Sequence, residues 1–136
     1  MTLEEKIHNL QDKISEEICL INCGGCIHFA YYFSRRLKEL NIEHKIAFMD
    51  DCNIRLEYKN FEPVRHVMVY IPNIGLIDGT SIKKKNSFVR GTYYFKITDC
   101  SLKKLDNFRR LFKWNFQYDQ KNNKKLDELI KKFIYE

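Results

Sequence analysis

Cys26, His66 and Asp78 are the residues whose types and order could do chemistry in this chain. A cysteine thiolate attacks carbonyl carbon, an imidazole takes and returns the thiol proton, and a carboxylate orients the imidazole. Cys26 follows Gly24 and Gly25 and opens a stretch in which Cys26, Phe29, Ala30, Phe33, Leu37 and Leu40 share one helical face. A thiol in the first turn of that helix sits near the positive end of the helix dipole. Unpaired backbone N–H groups there favour the thiolate and can also bind an oxyanion. Neither glycine brings a Cβ, which suits a backbone that must come close to a substrate, so Gly25 is a candidate substrate contact.

The base must come from His8, His28, His44 or His66. His28 lies two positions past Cys26, about 200° around an ideal helix, and points away from the thiol. His8 falls on the polar side of the first helix and His44 in a turn before a strand; both read as surface residues. His66 lies in a β-rich run on one face with Met68 and Tyr70, where its ring is expected to face the helix that starts at Cys26. Asp78 closes the returning strand of the hairpin. It shares a face with His66 only if the connecting loop has an odd number of residues, and a loop of Pro72 to Ile74 sets it opposite Met68 and diagonal to His66.

The elements that must position these residues follow from periodicity. Leu3, Ile7, Leu10, Ile14 and Ile18 recur at steps of three and four, which predicts an amphipathic first helix ahead of the one at Cys26. A short strand is expected from Lys45 to Met49, then Val64 to Ile71 and Ile74 to Asp78 as a hairpin with its turn at Pro72 and Asn73. Lys83, Lys84 and Lys85 mark an exposed loop, Gly91 to Thr98 a further strand, and helices follow Ser101 and Asn122, whereas the polar segment from Asp50 to Pro63 carries no clear pattern. The order is helices, a small antiparallel sheet, then helices, which is α+β.

The order Cys, His, Asp, with the thiol at a helix start and the other two on neighbouring strands, resembles the papain-like and transglutaminase-like cysteine enzymes. Cys23, Gly24, Gly25, Cys26, Phe29 and Ala30 look like the papain nucleophile segment, and the spacing to His66 and Asp78 is similar to the minimal transglutaminase-like core; together the likeness spans residues 22 to about 82. Leu20 stands where the papain pattern has its oxyanion glutamine, which leaves Asn22 as the substitute, and no aromatic oxyanion donor of the transglutaminase kind precedes Cys26. The resemblance implies a thiol hydrolase that forms an acyl-enzyme on Cys26 from an amide or ester carbonyl of a protein or peptide. No cofactor and no metal are implied.

Two other readings use the same cysteines. Cys23, Gly24, Gly25, Cys26 ahead of a helix also looks like a thioredoxin active site, in which Cys23 attacks, Cys26 resolves, and His66 and Asp78 have no part. Cys19, Cys23, Cys26 and His28 could form part of a zinc site, but a second paired-ligand motif is missing and Cys52 and Cys100 stand alone. An inactive binding module of the same fold is the third possibility.

Composition bounds the rest. A chain of 136 residues, 44% apolar, with ten Phe, eight Tyr and one Trp, is expected to form one domain over residues 1–136 with a packed interior. Its apolar runs fall far short of the roughly 20 residues that a membrane span needs. Met1, Thr2, Leu3, Glu4, Glu5 is no secretion signal and the five cysteines are an odd number, so reduced thiols in the cytoplasm are expected. The charge is uneven: residues 1–80 carry 9 Lys or Arg against 12 Asp or Glu, and residues 81–136 carry 15 against 6. The basic third suits an acidic partner; nucleic acid is not expected, because no nucleic-acid motif accompanies the charge. Trp114, Asn115, Phe116 and Tyr118 form an aromatic cluster that reads as core or as the wall of a groove.

Overall fold

A computed structural model of the chain describes residues 1–18, 25–51, 64–84, 89–90, 93–111 and 120–135. Helix α1 (Leu3–Glu17) starts at a reciprocal cap: the Glu5 N–H donates to Thr2 Oγ1 at 3.1 Å, and the Thr2 N–H donates to Glu5 Oε1 at 3.2 Å. It buries Ile7, Leu10, Gln11 and Ile14. Helix α2 (Cys26–Glu39) buries Phe29, Ala30, Phe33 and Leu37, with the Phe29 and Phe33 rings stacked at 5.2 Å.

The sheet has six strands in the order β4-β3-β2-β1-β6-β5, and every pairing is antiparallel. Its strands are β1 (Lys45–Asp51), β2 (Val64–Ile71), β3 (Gly75–Ile77), β4 (Ile82–Lys83), β5 (Val89–Arg90) and β6 (Tyr93–Thr98). Alternation along β2 gives Val67, Val69 and Ile71 to the large core beneath α1 and α2, and Met68 to a smaller cluster with Ala47 and Leu76 on the other face. Helices α3 (Leu102–Leu111) and α4 (Gln120–Tyr135) complete the α+β architecture, adding Leu105, Leu126, Ile130 and Ile134 to the main core. Among the described residues no helix is long and apolar enough to cross a membrane.

Several boundaries differ from the sequence reading. Lys83 is not in an open loop: with Ile82 it pairs with β3 as a short edge strand. The returning strand is shorter than Ile74 to Asp78, because Ile74 belongs to the turn, where its N–H donates to the Ile71 carbonyl at 3.0 Å. Helix α4 begins at Gln120, ahead of Asn122. The short strand β5, which pairs with β6, has too few residues to show a period. The aromatic cluster from Trp114 to Tyr118 and most of the polar segment that ends at Pro63 lie outside the described residues.

Candidate functional site

The site begins with the hairpin. Val69 pairs with Ile77, Tyr70 with Leu76 and Ile71 with Gly75, so the loop is Pro72–Ile74, the odd length the sequence reading required. Asn73 takes φ +72 and Gly75 φ +128. A Cβ at Gly75 would lie 2.4 Å from the Lys83 carbonyl oxygen, so only glycine lets β4 pair there. Past β3 the chain turns at Asp78, whose N–H donates to the Ser81 carbonyl at 3.1 Å.

His66 Nε2 and Asp78 Oδ2 are 2.7 Å apart, with the two side chains 11% and 3% exposed. Asp78 Oδ1 accepts four further hydrogen bonds: from the backbone N–H groups of Thr80 (2.8 Å) and Ser81 (2.7 Å), and from both their hydroxyls (3.1 Å each). The Cys26 side chain lies near enough to the same imidazole to raise its pKa. With Nε2 committed to Asp78, the nitrogen left for sulfur is Nδ1. Cys26 is the first residue of α2 and half-buried, so thiol, imidazole and carboxylate come together from α2, β2 and the turn after β3, with His66 and Asp78 joined by a hydrogen bond.

Alternation alone would send His66 to the Met68 face, away from the core that α2 covers. The register of β2 against β1 shifts at this point: His66 pairs with Met49, whereas Asp50 pairs with Val64, which leaves Arg65 as an extra residue beside His66. A bulge bends its strand and re-aims the neighbouring side chain, and here it stands next to the histidine that meets α2.

The electrostatics of the three groups are mutually reinforcing. Burial works against a charged imidazole, but the hydrogen bonds with Asp78 and Cys26, and the negative charge each can carry, outweigh it and raise His66 to about 9. Burial likewise opposes the Asp78 carboxylate, but the His66 hydrogen bond and charge, with the Thr80 and Ser81 N–H groups, lower it to about 2. Near neutral pH the pair is therefore imidazolium and carboxylate. Such an imidazolium holds a proton that a leaving group at the site can receive.

Gln11 was not singled out from sequence. It is 5% exposed, and its amide Nε2 donates to the carbonyls of Asp78 and Ser81, both at 2.9 Å, tying α1 to the turn that cradles the carboxylate. Its sequence signal is a polar residue four positions after Ile7, in the middle of an apolar stripe. Thr80 and Ser81, the other missed residues, follow an aspartate in the pattern of a turn whose side chain accepts from the backbone two and three residues on.

The remaining candidates fall as follows. Gly25 caps α2, is buried, and accepts from the Phe29 N–H at 3.0 Å in an ordinary right-handed conformation. Asn22, Cys19 and Cys23 lie outside the described residues. His8 is exposed, as expected, and His28 is buried within α2. His44 is half-buried: Ser34 Oγ lies 2.6 Å from its Nε2 and the Ile42 carbonyl 2.8 Å from its Nδ1, and burial first of all pushes its pKa down. That ring is neutral, donating from Nδ1 to Ile42 and accepting from Ser34.

Comparison with known proteins gives no match: no family model, no curated protein and no solved structure corresponds to this chain.

Proposed function

We propose that this chain is a thiol-dependent hydrolase of the papain-like or transglutaminase-like kind, a peptidase, amidase or deamidase acting on an amide or ester carbonyl. The observation that supports it is the His66–Asp78 pair at 2.7 Å beside Cys26, which raises the His66 pKa. A disulfide-exchange role for Cys23 and Cys26 would leave His66 and Asp78 without a part, so their joint engagement with Cys26 weighs for hydrolysis.

In this mechanism the Cys26 thiolate attacks the carbonyl carbon and the carbonyl π pair moves onto oxygen. Backbone N–H groups at the start of α2, that of Cys26 first, lie where they can hold that oxyanion. As the tetrahedral species collapses, the bond to the leaving amine or alkoxide breaks and His66 Nδ1 hands it a proton, leaving a thioester on Cys26 and a neutral ring. A water molecule then attacks the thioester while His66 takes its proton. Release of the carboxylic acid restores thiolate and imidazolium. Asp78 touches no reacting atom; it holds the ring orientation and favours its charged form.

The test is alkylation of the reduced protein with iodoacetamide from pH 5 to 9, the modified cysteine being mapped by peptide mass spectrometry, beside His66→Ala. Rapid labelling of Cys26 at pH 6 that the variant loses is the expected result. Labelling of Cys23 first, with no effect of the variant, would favour disulfide exchange. Labelling of neither thiol above the rate of a simple cysteine would leave a binding module.

A further inference from the structure

We infer that a cleft among α2, α3 and α4 is a docking site for a carboxylate-rich segment of a partner protein. The cleft measures about 510 Å³ and is lined by Tyr32 and Arg35 of α2, Arg109 and Arg110 of α3, and Lys124 and Asp127 of α4. Four cations therefore face one carboxylate. Behind them Asp127 is shared with Arg36 at 2.8 Å, and Asp106 is shared between Arg109 and Arg110. Asp127 and Asp106 thus each serve two guanidinium groups, Arg36 also meets Glu39, and Lys124 adds a further charge, which leaves the cleft with a positive excess. A concave site lined by one sign of charge focuses its field and draws in opposite charge.

These arginines are held in place before any partner arrives. The Arg109 guanidinium lies over the Tyr31 ring at 4.7 Å and the Tyr32 ring at 5.5 Å, and that of Arg35 lies over Tyr32 at 5.7 Å. Arg35 also reaches Asp127 at 2.6 Å. Ordering long side chains on binding costs entropy, and here rings and carboxylates have already fixed them. A planar guanidinium keeps donors in reserve after meeting one carboxylate, so a second can be bound by the same fork.

The occupant is argued from the same contacts. Nucleic-acid strands bind by laying bases on open aromatic faces, but two guanidinium groups already sit over the tyrosine rings of this cleft. A single phosphate would leave most of the volume empty. Asp106 and Asp127 are themselves carboxylates held by these forks, which is the geometry that glutamate and aspartate side chains of a partner would repeat. The site shares α2 with Cys26, six residues or about 9 Å along the axis from Tyr32, but it does not depend on the thiol chemistry.

The experiment is fluorescence anisotropy of the full chain with a labelled peptide of consecutive glutamates, a labelled single-stranded oligonucleotide of equal charge, and inorganic phosphate as competitor. Saturable peptide binding is expected, weakened at least tenfold in the Arg110→Glu, Lys124→Glu double variant and unchanged in Cys26→Ser, with the oligonucleotide binding more weakly than the peptide. Arg110 and Lys124 are exposed, and circular dichroism of the double variant checks that it keeps its fold. Absence of saturable peptide binding, equal affinity in the double variant, tighter binding of the oligonucleotide, or displacement by phosphate at lower concentration than by unlabelled peptide would overturn the inference. Because Cys26→Ser is silent for thiol chemistry, loss of the hydrolase reading would leave this result standing.

Discussion

Gln11 on the first helix and Asp78 beyond the third strand are joined by a buried hydrogen bond of 2.9 Å, from the glutamine amide to the aspartate main-chain carbonyl. The same amide nitrogen holds the Ser81 carbonyl, so one side chain closes both ends of the turn whose N–H groups solvate the carboxylate.

Gln11→Ala is therefore expected to cost about 1–3 kcal/mol, because two buried carbonyls lose their donor. It should also move the His66 titration from about 9 towards the ordinary histidine value of 6.5, as Asp78 gains freedom to leave the ring. Denaturant unfolding checks the first effect, and the pH profile of Cys26 alkylation checks the second. A stability loss with an unmoved profile would restrict Gln11 to a purely architectural part.

The charged pair sets a pH window. His66 is raised from 6.5 to about 9, so its contribution to stability is complete below 6.5 and disappears as pH rises through about 9. Asp78 is lowered from 3.8 to about 2, so its contribution is complete above 3.8 and disappears as pH falls through about 2. Melting temperature should form a plateau between 3.8 and 6.5 with a fall on each side, worth on the order of 2–3 kcal/mol for the pair. Asp78→Asn should flatten both falls; identical limbs in that variant would place their origin elsewhere.

Gly75→Ala forces a Cβ to within 2.4 Å of the Lys83 carbonyl at a φ of +128. A loss of about 2 kcal/mol or more is expected by thermal or chemical unfolding. Hydrogen exchange should rise first along the β3–β4 ladder, where Leu76 pairs with Lys83 and Ile77 with Ile82.

Removing Asp127 takes a carboxylate from both Arg35 and Arg36, the latter keeping Glu39. Arg36 Nη2 sits 2.8 Å from it, with the arginine 13% and the aspartate 18% exposed. Asp127→Ala should cost about 1.5–3 kcal/mol, measured by urea unfolding, and Asp127→Asn less, because the amide still accepts one hydrogen bond.

The elements that carry the site were legible where local pattern decides. Glycines before Cys26 and a three-and-four apolar spacing mark the start of α2, and β-branched residues bounded by Pro72 mark β2. The three-residue loop Pro72–Ile74 was legible from its proline and asparagine. What escaped is non-local. Gln11 meets residues far along the chain, and the extra residue Arg65 is defined only against β1. His44 Nε2 meets Ser34, ten residues back on α2. In none of these cases does the residue's own neighbourhood in sequence contain the partner.

The tie from α1 to the turn at Asp78 also bears on when the site comes into being. Its closing contact joins residues separated by most of the first eighty, so it carries a high loop-closure cost and forms late along the folding route. Until α1 docks, Asp78 lacks a fixed turn and Cys26 lacks an oriented partner. Partly folded chains, during synthesis or after local opening, would thus carry a latent thiol, and reactivity would report completed folding.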